Sequence, residues 1–188
     1  IYKSTDAGRT WSHLGLRDAQ QIPNLAVDPK NPNRLFVAAL GHPYGPNEER
    51  GIYRSTDGGA TFVKVLTKDE NSVGNYFYIY PSIPETFYAT MWEERQGPWE
   101  NSVWAGTNGG IFKSVDGGTT WKPLTNGLPV VVQANLAISP ANPKRLFAAV
   151  AGLDKPGTGS DRGAAGIYRS DDAGETWTKI AGWEGIFV

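Results

Sequence analysis

Cysteine is absent from the 188-residue sequence, and only two histidines occur. Without a thiol the chain can form no disulfide, no thiolate zinc site and no cysteine nucleophile. His13 and His42 lie 29 residues apart, which matches no metal-ligand spacing. No calcium loop, phosphate-binding loop, dinucleotide-binding fingerprint or nucleophilic-serine motif is found either. The sequence therefore predicts no metal site and no cofactor.

A strong excess of one charge is also missing, as is any long apolar run. Eighteen Lys and Arg residues against nineteen Asp and Glu residues leave a formal net charge of −1. Such a chain has no overall field with which to hold nucleic acid or an anionic membrane surface. Its apolar runs fall well short of the roughly 20 residues that a membrane-spanning helix needs. We therefore expect neither nucleic-acid binding nor membrane insertion.

One octapeptide of the form S-x-D-x-G-x-T-[WF] occurs four times, each time between two alternating runs that read as strands. Its Ser and Asp side chains can accept hydrogen bonds from the amides of a turn, and its Gly can adopt a positive φ. Its aromatic residue can fill the space between neighbouring sheets. The pattern predicts a structural hairpin whose aspartates cap the turn and are not catalytic acids. The repeated positions are Ser4, Asp6, Gly8 and Trp11; Ser55, Asp57, Gly59 and Phe62; Ser114, Asp116, Gly118 and Trp121; and Ser170, Asp172, Gly174 and Trp177.

A second repeat lies between the octapeptides. Residues 24–38 return as residues 135–149, with a degenerate copy at 76–89, and each reads as a buried strand, a proline-containing turn and another buried strand. The octapeptides begin 51, 59 and 56 residues apart, which suits one four-stranded antiparallel blade per repeat. The sequence therefore predicts an all-β fold, a β-propeller with about three and a half to four blades present.

The predicted blades divide a single domain. With strands named a to d from the centre outward, residues 1–14 supply the c and d strands of a first blade. Residues 15–66, 67–124 and 125–180 supply one blade each, and residues 181–188 start a further blade or close the ring. A ring of so few blades would be strained. We therefore expect part of a larger propeller, or open blade edges that pair with the remaining blades or with another copy.

The octapeptide is the Asp-box, or BNR, repeat, and the chain resembles Asp-box β-propellers such as sialidases, xyloglucan-active glycosidases and sortilin-type receptors. Bacterial glycosyl-hydrolase-like BNR proteins are the most similar group, because residues 39–51 and 91–95 resemble its loop segments. The resemblance covers essentially the whole chain. It implies a secreted or periplasmic protein that binds a glycan or a peptide. A typical sialidase is not implied, since Gln21-Ile22-Pro23 lacks the arginine of that family's Arg-Ile-Pro segment.

The candidate site residues lie on the long loops, which antiparallel strand order places at the opposite end of the blades from the octapeptides. Glycoside hydrolysis needs two carboxyl groups roughly 5 to 10 Å apart, and aromatic rings stack on the C–H faces of sugars. The same side chains could instead form a solvated rim and inter-blade packing. The catalytic candidates are Glu48, Glu49, Asp69 and Glu93, and the ligand-binding candidates are His42, Tyr44, Arg50, Trp92, Arg95 and Trp99.

Two functions are compatible with this sequence. The first is a carbohydrate-active, glycosyl-hydrolase-like propeller that binds a glycan on the long-loop face. The second is a non-enzymatic propeller of the sortilin or assembly-factor type that binds a protein or peptide. The fold alone does not decide between them. An enzyme should bring two loop carboxylates together in a cleft, whereas a binding module need not.

Overall fold

The computed structural model of the chain describes residues 1–42, 44–79, 85–93, 106–153 and 164–182. Within these ranges the chain forms one two-stranded sheet, β1-β2, followed by three four-stranded sheets, β3-β4-β5-β6, β7-β8-β9-β10 and β11-β12-β13-β14. We call them the first to fourth sheets. No described segment forms a helix able to span a lipid bilayer. The strands are β1 Tyr2–Lys3, β2 Ser12–His13, β3 Asn24–Asp28, β4 Asn31–Ala39, β5 Gly51–Ser55, β6 Val63–Leu66, β7 Ser72–Ile79, β8 Phe87–Glu93, β9 Gly110–Ser114, β10 Lys122–Leu124, β11 Val130–Ile138, β12 Leu146–Leu153, β13 Gly166–Ser170 and β14 Thr178–Gly182.

Each octapeptide closes the outermost hairpin of its sheet with the same hydrogen bonds. In the second sheet the Ser55 hydroxyl accepts from the Gly59 amide at 2.9 Å. Asp57 accepts from the amide of Thr61 at 2.9 Å and from its hydroxyl at 2.6 Å. The other three turns repeat this set. The aspartate carboxylates are thus occupied as acceptors within their own hairpins.

These bonds, chiefly those from the threonine hydroxyls, hold the pKa of all four octapeptide aspartates below the usual value. The pKa falls from 3.8 to about 2 at Asp6 and Asp172, and further at Asp57 and Asp116. Because the folded-state pKa is depressed, this stabilisation is complete above pH 3.8 and is lost as the pH falls through about 2. We expect thermal melts to show a steep fall in Tm between about pH 4 and pH 2. Asp57→Ala should lower Tm at neutral pH and make that fall shallower, whereas an unchanged acid profile would contradict this account.

Apolar clusters bury the faces between successive sheets. At the junction of the second and third sheets, Phe36 stacks on Phe77 with ring centroids 4.2 Å apart and lies against Phe87 at 4.9 Å. These three rings are 0%, 3% and 0% exposed. Comparable clusters fill the other two junctions. The second and third sheets therefore each pack one face on the preceding sheet and the other face on the following sheet. We call these the leading and trailing faces.

A basic residue just before an octapeptide reaches the next octapeptide at each described junction. The guanidinium or ammonium group thereby ties neighbouring hairpins together at one end of the sheets. Three contacts of this kind are present: Lys3 Nζ donates to the Gly58 carbonyl at 2.7 Å, Arg54 Nη1 donates to the Gly117 carbonyl at 3.0 Å, and Lys113 pairs with Glu175 at 2.9 Å.

The turns between the two innermost strands lie at this same end. Gly58 donates its amide to the carbonyl of Asn33 at 2.9 Å, and Ala173 donates to the carbonyl of Lys144 at 2.8 Å. The octapeptides and inner turns therefore share one end of the fold. The remaining connections, which we call the long-loop end, lie opposite.

The fourth position of the octapeptide needs a positive φ, yet two copies carry alanine there. Ala173 has φ +61°, whereas Gly58 and Gly117 have φ +70° and +73°. Glycine avoids the Cβ strain of this region, roughly 1–2 kcal/mol, at the cost of about 0.5–1 kcal/mol in chain entropy. We expect Ala173→Gly to raise the free energy of unfolding by about 0.5 kcal/mol in urea titrations. Gly117→Ala, whose new methyl would lie 2.5 Å from Glu85 Oε2, is the matched reversal and should destabilise the protein. Equal stabilities would contradict the strain argument.

Candidate functional site

The loop that follows β4 is held in place by Arg50. This residue is 2% exposed, and its guanidinium donates to the carbonyls of His42 at 2.9 Å, Gly45 at 3.0 Å and Asn71 at 3.2 Å. A methyl group at Gly41 would lie 2.7 Å from Arg50 Cγ, so glycine permits this close approach. The burial favours a structural role for Arg50 over the predicted ligand contact, because little of the side chain reaches the surface.

Asn47, which the sequence analysis did not select, joins this loop to its neighbours. Its side-chain amide donates to Asp18 Oδ2 at 2.7 Å, its backbone amide donates to the Glu70 carbonyl at 3.0 Å, and its Oδ1 accepts from the Glu49 amide at 3.0 Å. The residue is 2% exposed. The sequence signal that could have indicated it is an asparagine inside a loop shaped by glycine and proline, where side-chain-to-backbone bonds are common.

The first pair of predicted acids differs in environment. Glu48 is exposed, and its backbone carbonyl accepts from the Lys64 ammonium group. Glu49 is half-buried, and its carboxylate adds to burial in raising the pKa of Tyr53 to about 12. Tyr44 is 54% exposed and available for stacking. No described contact joins Glu48 to Glu49 through a shared partner.

Asp69 and Glu93, by contrast, are linked through one residue. Asp69 Oδ1 accepts from the amides of Asn71 and Ser72 at 2.9 and 2.7 Å and from the Ser72 hydroxyl at 2.7 Å. Its Oδ2 accepts from Asn108 Nδ2 at 2.9 Å, while the Asn108 amide donates to Glu93 Oε2 at 3.0 Å. Asn108 therefore brings together two of the four predicted acids, Asp69 from the turn before β7 and Glu93 from the end of the neighbouring strand β8.

The Glu93 carboxyl also lies directly over Gly106. A methyl group at that glycine would overlap the Glu93 carboxyl carbon, so the absence of a side chain sets where the carboxyl can sit. Trp92, on the same strand, is half-buried. The predicted ligand-binding residues Arg95 and Trp99 lie outside the described residues, and their roles stay predictions.

A cavity of about 330 Å³ lies near the Asp69–Asn108–Glu93 cluster, although none of these three residues lines it. Lys68 and Thr107, the residues that precede Asp69 and Asn108, contribute to its wall. The Lys68 ammonium lies 5.7 Å from the centre of the Phe112 ring, which also lines the cavity. Most of the remaining wall is apolar and includes Pro123, Leu128 and Pro129. An apolar wall with a few polar groups is typical of a small-molecule site.

Lys68 and Asn108 were not selected from the sequence, because their contacts are with residues distant in the chain. Asn108 lies 39 residues from Asp69, and Lys68 lies 41 residues from Gly109, whose carbonyl accepts from its ammonium group. A search for polar residues next to glycines where β9 begins could have selected Asn108. Among the described residues, no three His, Asp or Glu side chains gather as a metal-binding group.

Comparison with known proteins gives a consistent result. The BNR/Asp-box repeat family model matches residues 168–179, which include the whole of the fourth octapeptide. The chain is 28% identical to a xyloglucanase of Hypocrea jecorina over 203 residues, covering 96% of this chain and 22% of that protein. It is 30% identical to Xyloglucanase Xgh74A of Acetivibrio thermocellus over 191 residues, covering 86% of this chain and 20% of that protein. The chain thus spans about one fifth of the length of the curated relatives it matches.

Solved structures show the same fold. The GH74 enzyme of Niastella koreensis superposes with a TM-score of 0.65 at 22% identity, covering 96% of this chain and 26% of that one. The GH74 xyloglucanase from Xanthomonas campestris superposes with a TM-score of 0.67 at 18% identity, covering 95% and 26%. Together with the four antiparallel sheets, these similarities confirm the fold predicted from the sequence. The chain forms part of a β-propeller and carries Asp-box (BNR) repeats.

Proposed function

We propose that the protein is a glycoside hydrolase that cleaves xyloglucan, with its glycan-binding surface at the long-loop end. The observation that carries this proposal is the Asp69–Asn108–Glu93 bridge beside a largely apolar cavity. The relatives named xyloglucanase supply the substrate class. Because xyloglucan is a polymer too large to cross a membrane unaided, the proposal places the protein outside the cytoplasm.

The bridge provides the two carboxyl groups that hydrolysis of a glycosidic bond requires. Asn108 alone separates them, so their spacing is on the scale of the roughly 5 to 10 Å used by glycosidases. Four hydrogen bonds, all of which it accepts, fix the position of the Asp69 carboxylate, and in this proposal it is the base that takes a proton from the attacking water. Glu93 would donate a proton to the leaving-group oxygen as the C–O bond breaks. Water supplies the new hydroxyl group, so no cofactor is needed.

The cavity would hold a sugar residue next to this pair. The Phe112 ring and the proline side chains offer surfaces for C–H groups, while Lys68 and Thr107 offer donors to hydroxyl groups. Tyr44, which is 54% exposed, would extend the binding surface along the glycan. Trp92, Arg95 and Trp99 are proposed to contribute to the same surface. Glu48 and Glu49 are less suitable acids, since no contact among the described residues joins them through a shared partner.

The test is to incubate the protein with tamarind xyloglucan and to measure new reducing ends, together with oligosaccharide products by chromatography. We expect release of oligosaccharides from xyloglucan and none of sialic acid from sialyllactose. Tight binding of xyloglucan without new reducing ends would instead favour a non-enzymatic binding propeller. Neither binding nor cleavage of xyloglucan would contradict the proposal.

Gly106→Ala tests the placement of the Glu93 carboxyl. The added methyl would overlap both the Glu93 carboxyl and Glu93 Cβ, so the carboxyl must move and the end of β8 must shift as well. We expect kcat on xyloglucan to fall by roughly tenfold to a hundredfold, as misplacement of a catalytic group predicts. The urea midpoint should fall as well, so kcat is measured where circular dichroism shows the variant to be folded. Gly45→Ala, on the neighbouring loop, adds a methyl in open space at φ +75°, so it is the control for backbone strain without overlap of a carboxyl. Unchanged turnover in Gly106→Ala would argue against Glu93 as the acid.

A further inference from the structure

The loop between β4 and β5 contacts the turn that precedes β7, at the long-loop end of the junction between the trailing face of the second sheet and the leading face of the third. The Asn47 amide donates to the Glu70 carbonyl at 3.0 Å, and Arg50 Nη1 donates to the Asn71 carbonyl at 3.2 Å. Both donors belong to residues that are 2% exposed. The loop of the second sheet therefore holds two successive carbonyl groups of that turn.

The same two peptide groups also hold the Asp69 carboxylate. Both are planar and trans, so the C=O and N–H of each point in opposite directions. Their N–H groups belong to Asn71 and Ser72, and both donate to Asp69 Oδ1, at 2.9 and 2.7 Å. Asp69 thus lies on one side of these peptide groups, and Asn47 and Arg50 lie on the other.

An arginine suits this position because its guanidinium is a rigid planar fork with five donors. Besides Asn71, the Arg50 fork reaches the carbonyls of His42 and Gly45 at 2.9 and 3.0 Å. These three acceptors compensate a buried charge and fix the orientation of the fork. A lysine at this position would keep the charge, but three donors on a flexible stem cannot reproduce the fork.

Hydrogen bonding at a carbonyl polarises its peptide group and strengthens the bond that the N–H of the same group donates. The Arg50 contact should therefore tighten the bond from the Ser72 amide to Asp69. We propose that Arg50 and Asn47 are positioning residues for Asp69, which act through these two peptide groups and not through contact with the substrate. This inference rests on the proposed hydrolysis, in which Asp69 is the base.

Arg50→Lys tests the proposal in the 188-residue chain. Hydrogen exchange of the Asn71 and Ser72 amides should speed up roughly tenfold, because the turn loses a hydrogen bond that holds it closed. On xyloglucan oligosaccharides kcat should fall roughly tenfold because the base is displaced, while KM changes less. A purely structural role for Arg50 would instead lower the urea midpoint and leave both quantities unchanged in the folded protein.

Arg54→Lys is the matched control. Arg54 Nη1 also donates from the second sheet to a carbonyl of the third, that of Gly117 at 3.0 Å, but at the octapeptide end of the same junction. The substitution therefore removes a comparable contact between the two sheets at the opposite end from Asp69. The value of kcat and the exchange rates of the Asn71 and Ser72 amides should stay within about twofold of those in the unmodified chain.

Gly41→Ala displaces Arg50 without removing its guanidinium, and it decides the question if Arg50→Lys does not fold. The new methyl would lie 2.7 Å from Arg50 Cγ and 2.8 Å from Asn47 Oδ1. Gly45→Ala is its control, because φ is +75° at Gly45 against +76° at Gly41 but the methyl at Gly45 meets no atom within 4 Å. Amide exchange in the turn before β7 should speed up in Gly41→Ala and not in Gly45→Ala.

The outcomes separate this inference from the proposed function. If the unmodified chain does not cleave xyloglucan, the proposed function fails, and the exchange rates still decide whether Arg50 and Asn47 hold the Asp69 turn. If the unmodified chain cleaves xyloglucan and folded Arg50→Lys keeps its kcat, the positioning role is overturned. Equal effects of Arg50→Lys and Arg54→Lys would also overturn it, because they would show that the whole junction had loosened.

Discussion

Glu93→Gln and Asp69→Asn are each expected to lower kcat on xyloglucan by a factor of roughly 10² to 10⁴, the range of general acid–base catalysis. Each substitution keeps the size of the side chain but removes the ability to donate or accept the transferred proton. Steady-state kinetics on xyloglucan oligosaccharides, with KM measured separately, would show the loss in kcat. Substrate binding should be largely retained in both variants.

Glu70→Gln is the matched control for that experiment. Glu70 follows Asp69 directly and is exposed, and its described hydrogen bond uses the backbone carbonyl and not the carboxylate. Its substitution should leave kcat within about twofold, as expected for an exposed carboxylate outside the bridge. Since Asp69 also orders the turn before β7, a urea titration of Asp69→Asn must show a folded protein. Full activity in either bridge variant would exclude that residue as acid or base.

Gly118→Ala is expected to cause the largest loss of stability among simple substitutions in the octapeptides. The new methyl would overlap the ring of Phe36, which is 0% exposed and stacked on Phe77 at 4.2 Å, so the ring has no space to withdraw. Overpacking costs about 1–3 kcal/mol, and Cβ strain at φ +77° adds about 1–2 kcal/mol. We expect the free energy of unfolding in urea to fall by about 3 kcal/mol.

Gly8→Ala separates packing from backbone strain. Gly8 has φ +86°, but the nearest atom to a new methyl group there is Trp11 Cζ2 at 3.8 Å, an ordinary contact. The fall in the free energy of unfolding for Gly8→Ala should therefore be limited to the backbone strain, about 1 kcal/mol. Equal losses in Gly8→Ala and Gly118→Ala would show that the octapeptide glycines do not serve inter-blade packing.

The fold could be predicted from the sequence because the residues that close each hairpin are close together in the chain and occur four times. Each octapeptide contains the acceptors, the glycine and the threonine that close one hairpin, so residues such as Ser55, Asp57 and Thr61 find their partners within a few positions. The spacing of four such hairpins then indicates the number of strands in a blade. Trp11 differs from the expected inter-sheet aromatic, because no described sheet covers it and it stays 61% exposed.

The candidate site was only partly accessible to the same reasoning. Asp69 and Glu93 could be selected as loop carboxylates, but their connection depends on Asn108, whose two hydrogen bonds join residues 39 and 15 positions away. Arg50 shows the opposite difficulty. A loop arginine resembles a ligand contact in sequence, and only the three carbonyls around its guanidinium indicate a structural role. Such contacts depend on how separate loops meet, which no local pattern records.

Backbone amide chemical-shift mapping with a xyloglucan oligosaccharide tests most directly whether the ligand binds at the long-loop end, away from the octapeptides. We predict that the largest shifts will fall in residues 67–72 and 106–112, around the Asp69–Asn108–Glu93 bridge and the adjoining cavity. The amides of the four octapeptides should stay unchanged through the titration. Shifts concentrated at Asp57, Asp116 or Asp172 and their turns would contradict this account.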